Sequence, residues 1–218
     1  MRLGVLISGR GSNLQALIEA GAGPGEIALV ISNRPGAAGL AHAAAAGIPS
    51  VVVAEPDRGI FAGRAEVLLH EHRVELVCLA GFMRVLDTRF VEAWRDRMVN
   101  IHPSLLPAFR GLDPQRQALA AGVRFSGCTV HFVRPELDTG PIIAQAVVPV
   151  HPDDDEASLS ARILEAEHRL YPLAVRLIAE GRTRIVDGRV EIDGWDVPEL
   201  QVLNPSERPL APLVSTPL

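Results

Sequence analysis

Leu3-Gly4-Val5-Leu6-Ile7-Ser8-Gly9-Arg10-Gly11-Ser12-Asn13-Leu14 passes from an apolar run into a glycine-punctuated polar turn with no spacer between them. A short run of Leu, Val and Ile without alternation reads as a strand buried on both faces, as in a parallel sheet. The turn brings two glycines, which open backbone conformations closed to other residues, then Ser12 and Asn13, both favoured at helix N-termini. The stretch is therefore a strand, a tight turn and the start of a helix. Outward from it the same unit recurs. Apolar runs at 27–32, 50–54 and 76–80 read as further buried strands, and 13–20, 37–46 and 61–72 as the helices between them, with Gly47 placed to close the second helix. Strands alternating with helices through right-handed crossovers make an α/β protein: a doubly wound, mostly parallel, Rossmann-like sheet.

From about residue 100 the pattern changes. Residues 97–101 read as a short strand that Pro103 ends, since proline cannot donate to a sheet ladder. A proline-rich loop leads to a helix near 114–121, and two strands follow, 127–133 and 142–150, joined by the loop that carries Asp138. Asp153-Asp154-Asp155-Glu156 opens a long helix to about Glu180, where acidic residues suit the positive end of the helix dipole. Residues 183–192 read as a hairpin turning at Asp187-Gly188. The result is an antiparallel C-terminal extension on a parallel sheet. We expect one domain over 1–196, with halves 1–99 and 100–196, and a Pro- and Ser-rich tail over 197–218 that is surface-bound or disordered.

Composition narrows the function. A chain of 218 residues with 48% hydrophobic content has a substantial core. Its net charge of −5 argues against a general nucleic-acid or membrane-surface binder, which needs a basic face. Cys78 and Cys128 each sit inside an apolar run and read as buried thiols rather than a disulfide or zinc site. The N-terminus lacks a signal-peptide layout and no apolar run reaches membrane-spanning length, so a cytoplasmic protein is the expectation. His42, His70, His72, His151 and His168 lack ligand partners in sequence, and no metal is expected.

Two places carry chemistry. The turn at 8–13 presents main-chain N–H groups at a helix N-terminus, which attracts phosphate. It is not a dinucleotide fingerprint, because Leu14 stands where the third glycine belongs and Ser32-Asn33 ends the second strand without an acidic residue. Nor is it a P-loop, having no Gly-Lys-Ser/Thr. A monophosphate is what remains; spacing alone fits a capped turn without ligand equally well. The second place is Asn100-Ile101-His102-Pro103. Side chains two apart on a strand point the same way, so Asn100 and His102 project together from its carboxyl end, where ligands bind in open α/β sheets. With Asp138 nearby they supply what acyl transfer needs: a donor for a developing oxyanion, a titratable imidazole and a carboxylate to orient it.

Asn-Ile-His-Pro-Ser-Leu-Leu-Pro at 100–107, Leu-Asp-Thr-Gly-Pro at 137–141 and Ser-Gly-Arg-Gly-Ser-Asn-Leu-Gln at 8–15 together resemble the signatures of the folate-dependent formyltransferases, in that family's order. The resemblance runs from Met1 to about Gly181. It implies the formyltransferase fold and transfer of a formyl group from 10-formyltetrahydrofolate, a co-substrate, to the amine of 5-phosphoribosylglycinamide in purine biosynthesis. By the same resemblance Asn100, His102 and Asp138 are catalytic, the amides of Gly11, Ser12 and Asn13 hold the phosphate, and Glu167 holds the ribose. The loop 80–86 lines the pterin pocket, main-chain groups of Arg84 and Leu86 reading the ring's edge while Met83, Val85 and Leu86 wall it. Arg134-Pro135-Glu136-Leu137 is the matching loop opposite, Asn100 and Asp138 adjoin the folate, and Arg58 meets its carboxylate tail.

Two departures from the family pattern stand out. Leu164 occupies a helix position where the family often has glutamine, and 111–115 lacks the histidines that variable stretch can carry, so it is given no role. His131 reads as a core histidine with a satisfied hydrogen bond, and the resemblance gives it support of the active-site loop. Three functions compete: this formyl transfer; a related hydrolase or formyltransferase using the same donor; and a non-catalytic nucleotide-binding module. A monomer or homodimer is expected.

Overall fold

Nine strands and six helices follow one another in the computed structural model, which describes residues 1–21, 23–194 and 202–205. β1 (Arg2–Ile7), β2 (Glu26–Ser32), β3 (Ser50–Val52), β4 (Leu76–Leu79) and β5 (Met98–His102) pair in parallel, with β2 and β4 flanking β1. β6 (Phe125–Phe132) runs antiparallel to β5, and β7 (Ile142–Pro149) antiparallel to β6. The sheet order is β3-β2-β1-β4-β5-β6-β7. β8 (Thr183–Val186) and β9 (Arg189–Ile192) form a separate hairpin, whose turn residues Asp187 and Gly188 both have positive φ. That conformation is the one a two-residue hairpin turn asks for.

Both faces of the sheet are covered. α1 (Ser12–Ala20), α2 (Gly39–Ala45), α5 (Pro114–Ala120) and α6 (Glu156–Ala179) lie on one, contributing Leu14, Ala43, Ala118, Tyr171 and Val175 to a core shared with β1, β5 and β6. α3 (Arg58–Glu71) and α4 (Thr88–Ala93) lie on the other, packing Phe61, Leu69 and Phe90 beside Trp94. The first core runs through both halves of the chain, whereas the buried residues of the second all lie between Leu6 and Met98. α3 begins at Arg58, earlier than the sequence expectation of 61, because Asp57 caps it by accepting the Ile60 N–H at 2.9 Å. α4 was not expected; six residues are too short for a helical period to show.

The chain winds β1 to β3 in one direction, then crosses back to β4 and β5. The reversal falls between β1 and β4, and a crevice opens there at their carboxyl ends. Met83 N–H donates to Ser8 Oγ at 2.8 Å, joining the loop after β4 to the turn after β1. Across the crevice lies α6, held by Tyr171, whose buried hydroxyl donates to the Leu79 carbonyl at 2.9 Å. Among the described residues no helix is long and apolar enough to cross a membrane. Most of the tail expected over 197–218 lies outside the described residues; within it, Asn204 Nδ2 donates to the Arg124 carbonyl at 2.7 Å.

Candidate active site

The phosphate end starts from Gly11, which caps α1 at φ 75°, ψ 24°. The first helical hydrogen bond runs from Gln15 N–H to Gly11 O at 2.8 Å. The amides of Ser12, Asn13 and Leu14 precede it and have no acceptor within the helix. Ser12 and Asn13 line a cavity of about 700 Å³ together with residues 8–11, Gly81, Met83, Pro103, Leu164 and Glu167 among others. Gly11 has a second reason to be glycine that its sequence did not reveal. A Cβ there would fall 2.4 Å from Gly39 Cα, so the close approach is to α2 as well as to any ligand.

Glu167 is not a solvated helix carboxylate. It lies one turn before Tyr171 on the buried face of α6, only 6% exposed, and accepts from Asn13 Nδ2 at 2.8 Å. Burial pushes its carboxyl up to about 7, against a smaller downward pull from Asn13. Asn13 Oδ1 is buried without a partner. The cavity thus carries an unmet acceptor beside a strained carboxylate, next to free helix amides. Leu164, a turn before Glu167, lines the same wall without polar atoms.

At the other end, the register of β5 on β6 sets Asn100 opposite His131 and His102 opposite Thr129. Burial holds the His131 imidazole below its ordinary value, with the Phe132 carbonyl as the leading opposing influence. The neutral ring donates from Nδ1 to Phe132 O (3.0 Å), so Nε2, 3.3 Å from Asn100 Nδ2, accepts from that amide. One N–H of Asn100 is spoken for, and the other remains to serve a ligand. The two ring nitrogens of His102 face acceptors: Nε2 lies 3.0 Å from the Phe109 carbonyl and Nδ1 3.5 Å from Asp138 Oδ2. Asp138 is itself pinned, accepting the Gly111 N–H at 2.9 Å while its backbone sits at φ 53°, and it comes within 3.8 Å of His131. Asn100, His102 and Asp138 are brought together, and His131 completes the cluster from the next strand.

The apolar side chains expected to wall a flat ring stand open. Met83 is 72% exposed, Val85 52% and Leu137 58%, and Gly111 lies near Leu137 across the loop. Leu86 turns inward against the second core. The charged members of this set are occupied differently from what their type suggests. The Arg84 guanidinium donates to the carbonyls of Glu55 and Pro56 and stacks over Phe61, fastening its loop to the segment ahead of α3. Arg134 donates to Asp96 at 2.6 Å and to the Val133 carbonyl, fastening the opposite loop to the end of α4. Both act on loop position through their side chains. Arg58 is the first residue of α3 and exposed. Arg10 and Arg34 also line the cavity, and sequence reasoning passed over them. The signal was present: each follows a parallel strand by two or three residues, at the end where ligands bind.

A sequence model of the formyl transferase family matches residues 1–175. The chain belongs to that family. The trifunctional purine biosynthetic protein adenosine-3 of Drosophila melanogaster is 53% identical over 84% of this chain, which spans only 14% of that protein's length. The phosphoribosylglycinamide formyltransferase of Escherichia coli strain K12 is 42% identical, the match covering 91% of this chain and 96% of the relative. The crystal structure of phosphoribosylglycinamide formyltransferase from Anaplasma phagocytophilum superposes with a TM-score of 0.86 at 50% identity, covering 90% of this chain and 96% of that one. Within the family, these relatives of similar length are phosphoribosylglycinamide formyltransferases.

Proposed function

We propose that the chain is a one-carbon transferase of de novo purine biosynthesis, moving the formyl group of 10-formyltetrahydrofolate to the amine of 5-phosphoribosylglycinamide. The observation that carries this reading is one continuous cavity. It runs from the free amides of α1 past Glu167 to Ile101 and Pro103, the residues on either side of His102. A ribosyl phosphate anchored at the first end extends its amine toward the second. Folate then approaches from the side where Met83, Val85 and Leu137 stand exposed.

The chemistry follows from the groups present. The amine nitrogen attacks the formyl carbon, and the carbonyl electron pair moves onto oxygen. The unpaired N–H of Asn100 donates to that oxyanion, aimed by the His131 contact. His102 stands beside it between two acceptors, an arrangement only the imidazolium satisfies on both sides, with Asp138 as its counter-charge. Collapse of the intermediate breaks the bond from carbon to the folate nitrogen. That nitrogen gains a proton as the amine loses one, and His102 or a water beside it carries the transfer. At the substrate end, Glu167 and Asn13 Oδ1 are acceptors matched to ribose hydroxyls, and the amides of Gly11, Ser12 and Asn13 hold the phosphate. Main-chain groups of Arg84 and Leu86 read the pterin edge and Arg58 meets the folate's carboxylates. No step needs a metal. Every group invoked comes from one chain, which suits a monomer or a homodimer in the cytoplasm.

A related enzyme that hydrolyses the same donor would use the same cluster, but it has no need of a phosphate end. Following consumption of 10-formyltetrahydrofolate with and without 5-phosphoribosylglycinamide separates the two. Transfer requires consumption to depend on the ribonucleotide; equal consumption in its absence means hydrolysis and overturns the proposal.

A further inference from the structure

The turn after β1 is built jointly with the turn after β2. Gly39 N–H donates to the Gly9 carbonyl at 3.0 Å, and Gly39 packs its Cα against Gly11. The second turn is tied to itself: the Ser32 hydroxyl donates to the Arg34 carbonyl at 2.7 Å and accepts the Arg34 N–H at 3.1 Å. These contacts place Arg34 and Arg10 on the rim of the same cavity that Ser12 and Asn13 line. Both residues are exposed, and among the described residues neither guanidinium makes a hydrogen bond or ion pair. In a chain of net charge −5, two uncommitted cations at one cavity mouth are a local reversal of sign. Independently, Asn13, 7% exposed and lining this cavity, leaves Oδ1 without a donor. The rim therefore offers positive charge to an anion, and the floor an acceptor to a hydroxyl.

We infer that Arg10 and Arg34 are substrate-binding residues, and that the turn after β2 is half of the site for a dianionic phosphomonoester. The division of labour is physical. Helix amides are fixed dipoles that orient a phosphate but carry no net charge. Guanidinium groups supply the charge, bind phosphate oxygens in pairs, and raise the rate of capture of an anion in a way that salt screens. The substrate's identity as a ribosyl monophosphate rests on the proposed function; the demand for a phosphate dianion does not.

The test is steady-state kinetics of Arg10→Ala, Arg34→Ala and the double variant at low and high ionic strength. Each single change should raise KM for 5-phosphoribosylglycinamide by about tenfold at low salt. The double variant should lose most of the salt dependence, with kcat and KM for the folate within about twofold of wild type. Lysine at either position should recover part of the loss. Unchanged KM and salt dependence in the double variant overturn the inference. So does a parallel fall in kcat and folate affinity, which would mean that the arginines only shape the turns. Thermal shift with inorganic phosphate keeps the two readings apart. If wild type shows no ribonucleotide-dependent turnover, the proposed function fails. The arginine assignment then stands only if phosphate raises the Tm of wild type and not of the double variant.

Discussion

Asn100 takes its aim from His131, a residue 31 positions further along the chain. Sequence reasoning placed His131 on a strand and read it as a satisfied core histidine. Its Nδ1 contact agrees, but the Nε2 contact to Asn100 was invisible, because cross-strand pairing depends on register and not on spacing. The same blindness applies to Arg84 and Arg134, whose partners lie at Glu55, Pro56 and Asp96. Asn100 and His102 were legible together because strand alternation turns them the same way, whereas Asp138, beyond the next strand, was assigned through the resemblance to the formyltransferases. We expect Asn100→Ala to lower kcat by roughly 100- to 1000-fold, the effect of losing one oxyanion donor, while leaving KM for the ribonucleotide nearly unchanged. Comparable losses in kcat and ribonucleotide affinity would assign Asn100 a structural part instead.

At the scale of elements, the parallel strands were readable wherever burial on both faces made an unbroken apolar run. β4 is buried at every position, and its bounds fall within one residue of the expectation of 76–80. The long helix was marked by its acidic start, which the structure resolves into a capping box: Asp155 accepts the Ser158 N–H at 2.8 Å and Ser158 Oγ accepts the Asp155 N–H at 3.0 Å. Asp154 next to it pairs with Arg162 through both oxygens, which holds its carboxyl well below the usual range. What the sequence pattern could not reveal is that α6 keeps Pro172 on its buried face, where the ring forgoes one helical hydrogen bond. A helix interrupted in that way relies on its cap and its packing. Asp155→Ala should therefore lower the midpoint of chemical denaturation, with a smaller effect on kcat than on stability. A midpoint equal to wild type would show that packing alone holds the helix start.

At the scale of the whole molecule, Glu167 sets stability against binding. Its carboxyl titrates near 7 in the folded protein and 4.5 when free, so folding favours the protonated form. That contribution is fully present below about 4.5 and is lost as pH rises through about 7. Over this window the empty protein should give up on the order of 3 kcal/mol. The ionised form, however, is the stronger acceptor for the ribose hydroxyls of the proposed substrate, so ribonucleotide affinity should improve over the same rise. Glu167→Gln should flatten the dependence of Tm on pH between about 5 and 8, raise Tm at the alkaline end by several degrees, and weaken ribonucleotide binding. Parallel Tm profiles for the two proteins would refute this account. A different constraint acts where the turns after β1 and β2 meet. Gly11 and Gly39 touch Cα to Cα, and a side chain on either one would collide with the other. Neither position can be compensated at its partner, because each partner is already the smallest residue there is. The contact has no neutral neighbours in sequence space. The spacing of the two turns is therefore closed to gradual drift, whereas the arginines on their rim meet no such steric bar. Descendants of this chain can exchange the residues on the rim far more readily than they can move the two turns apart.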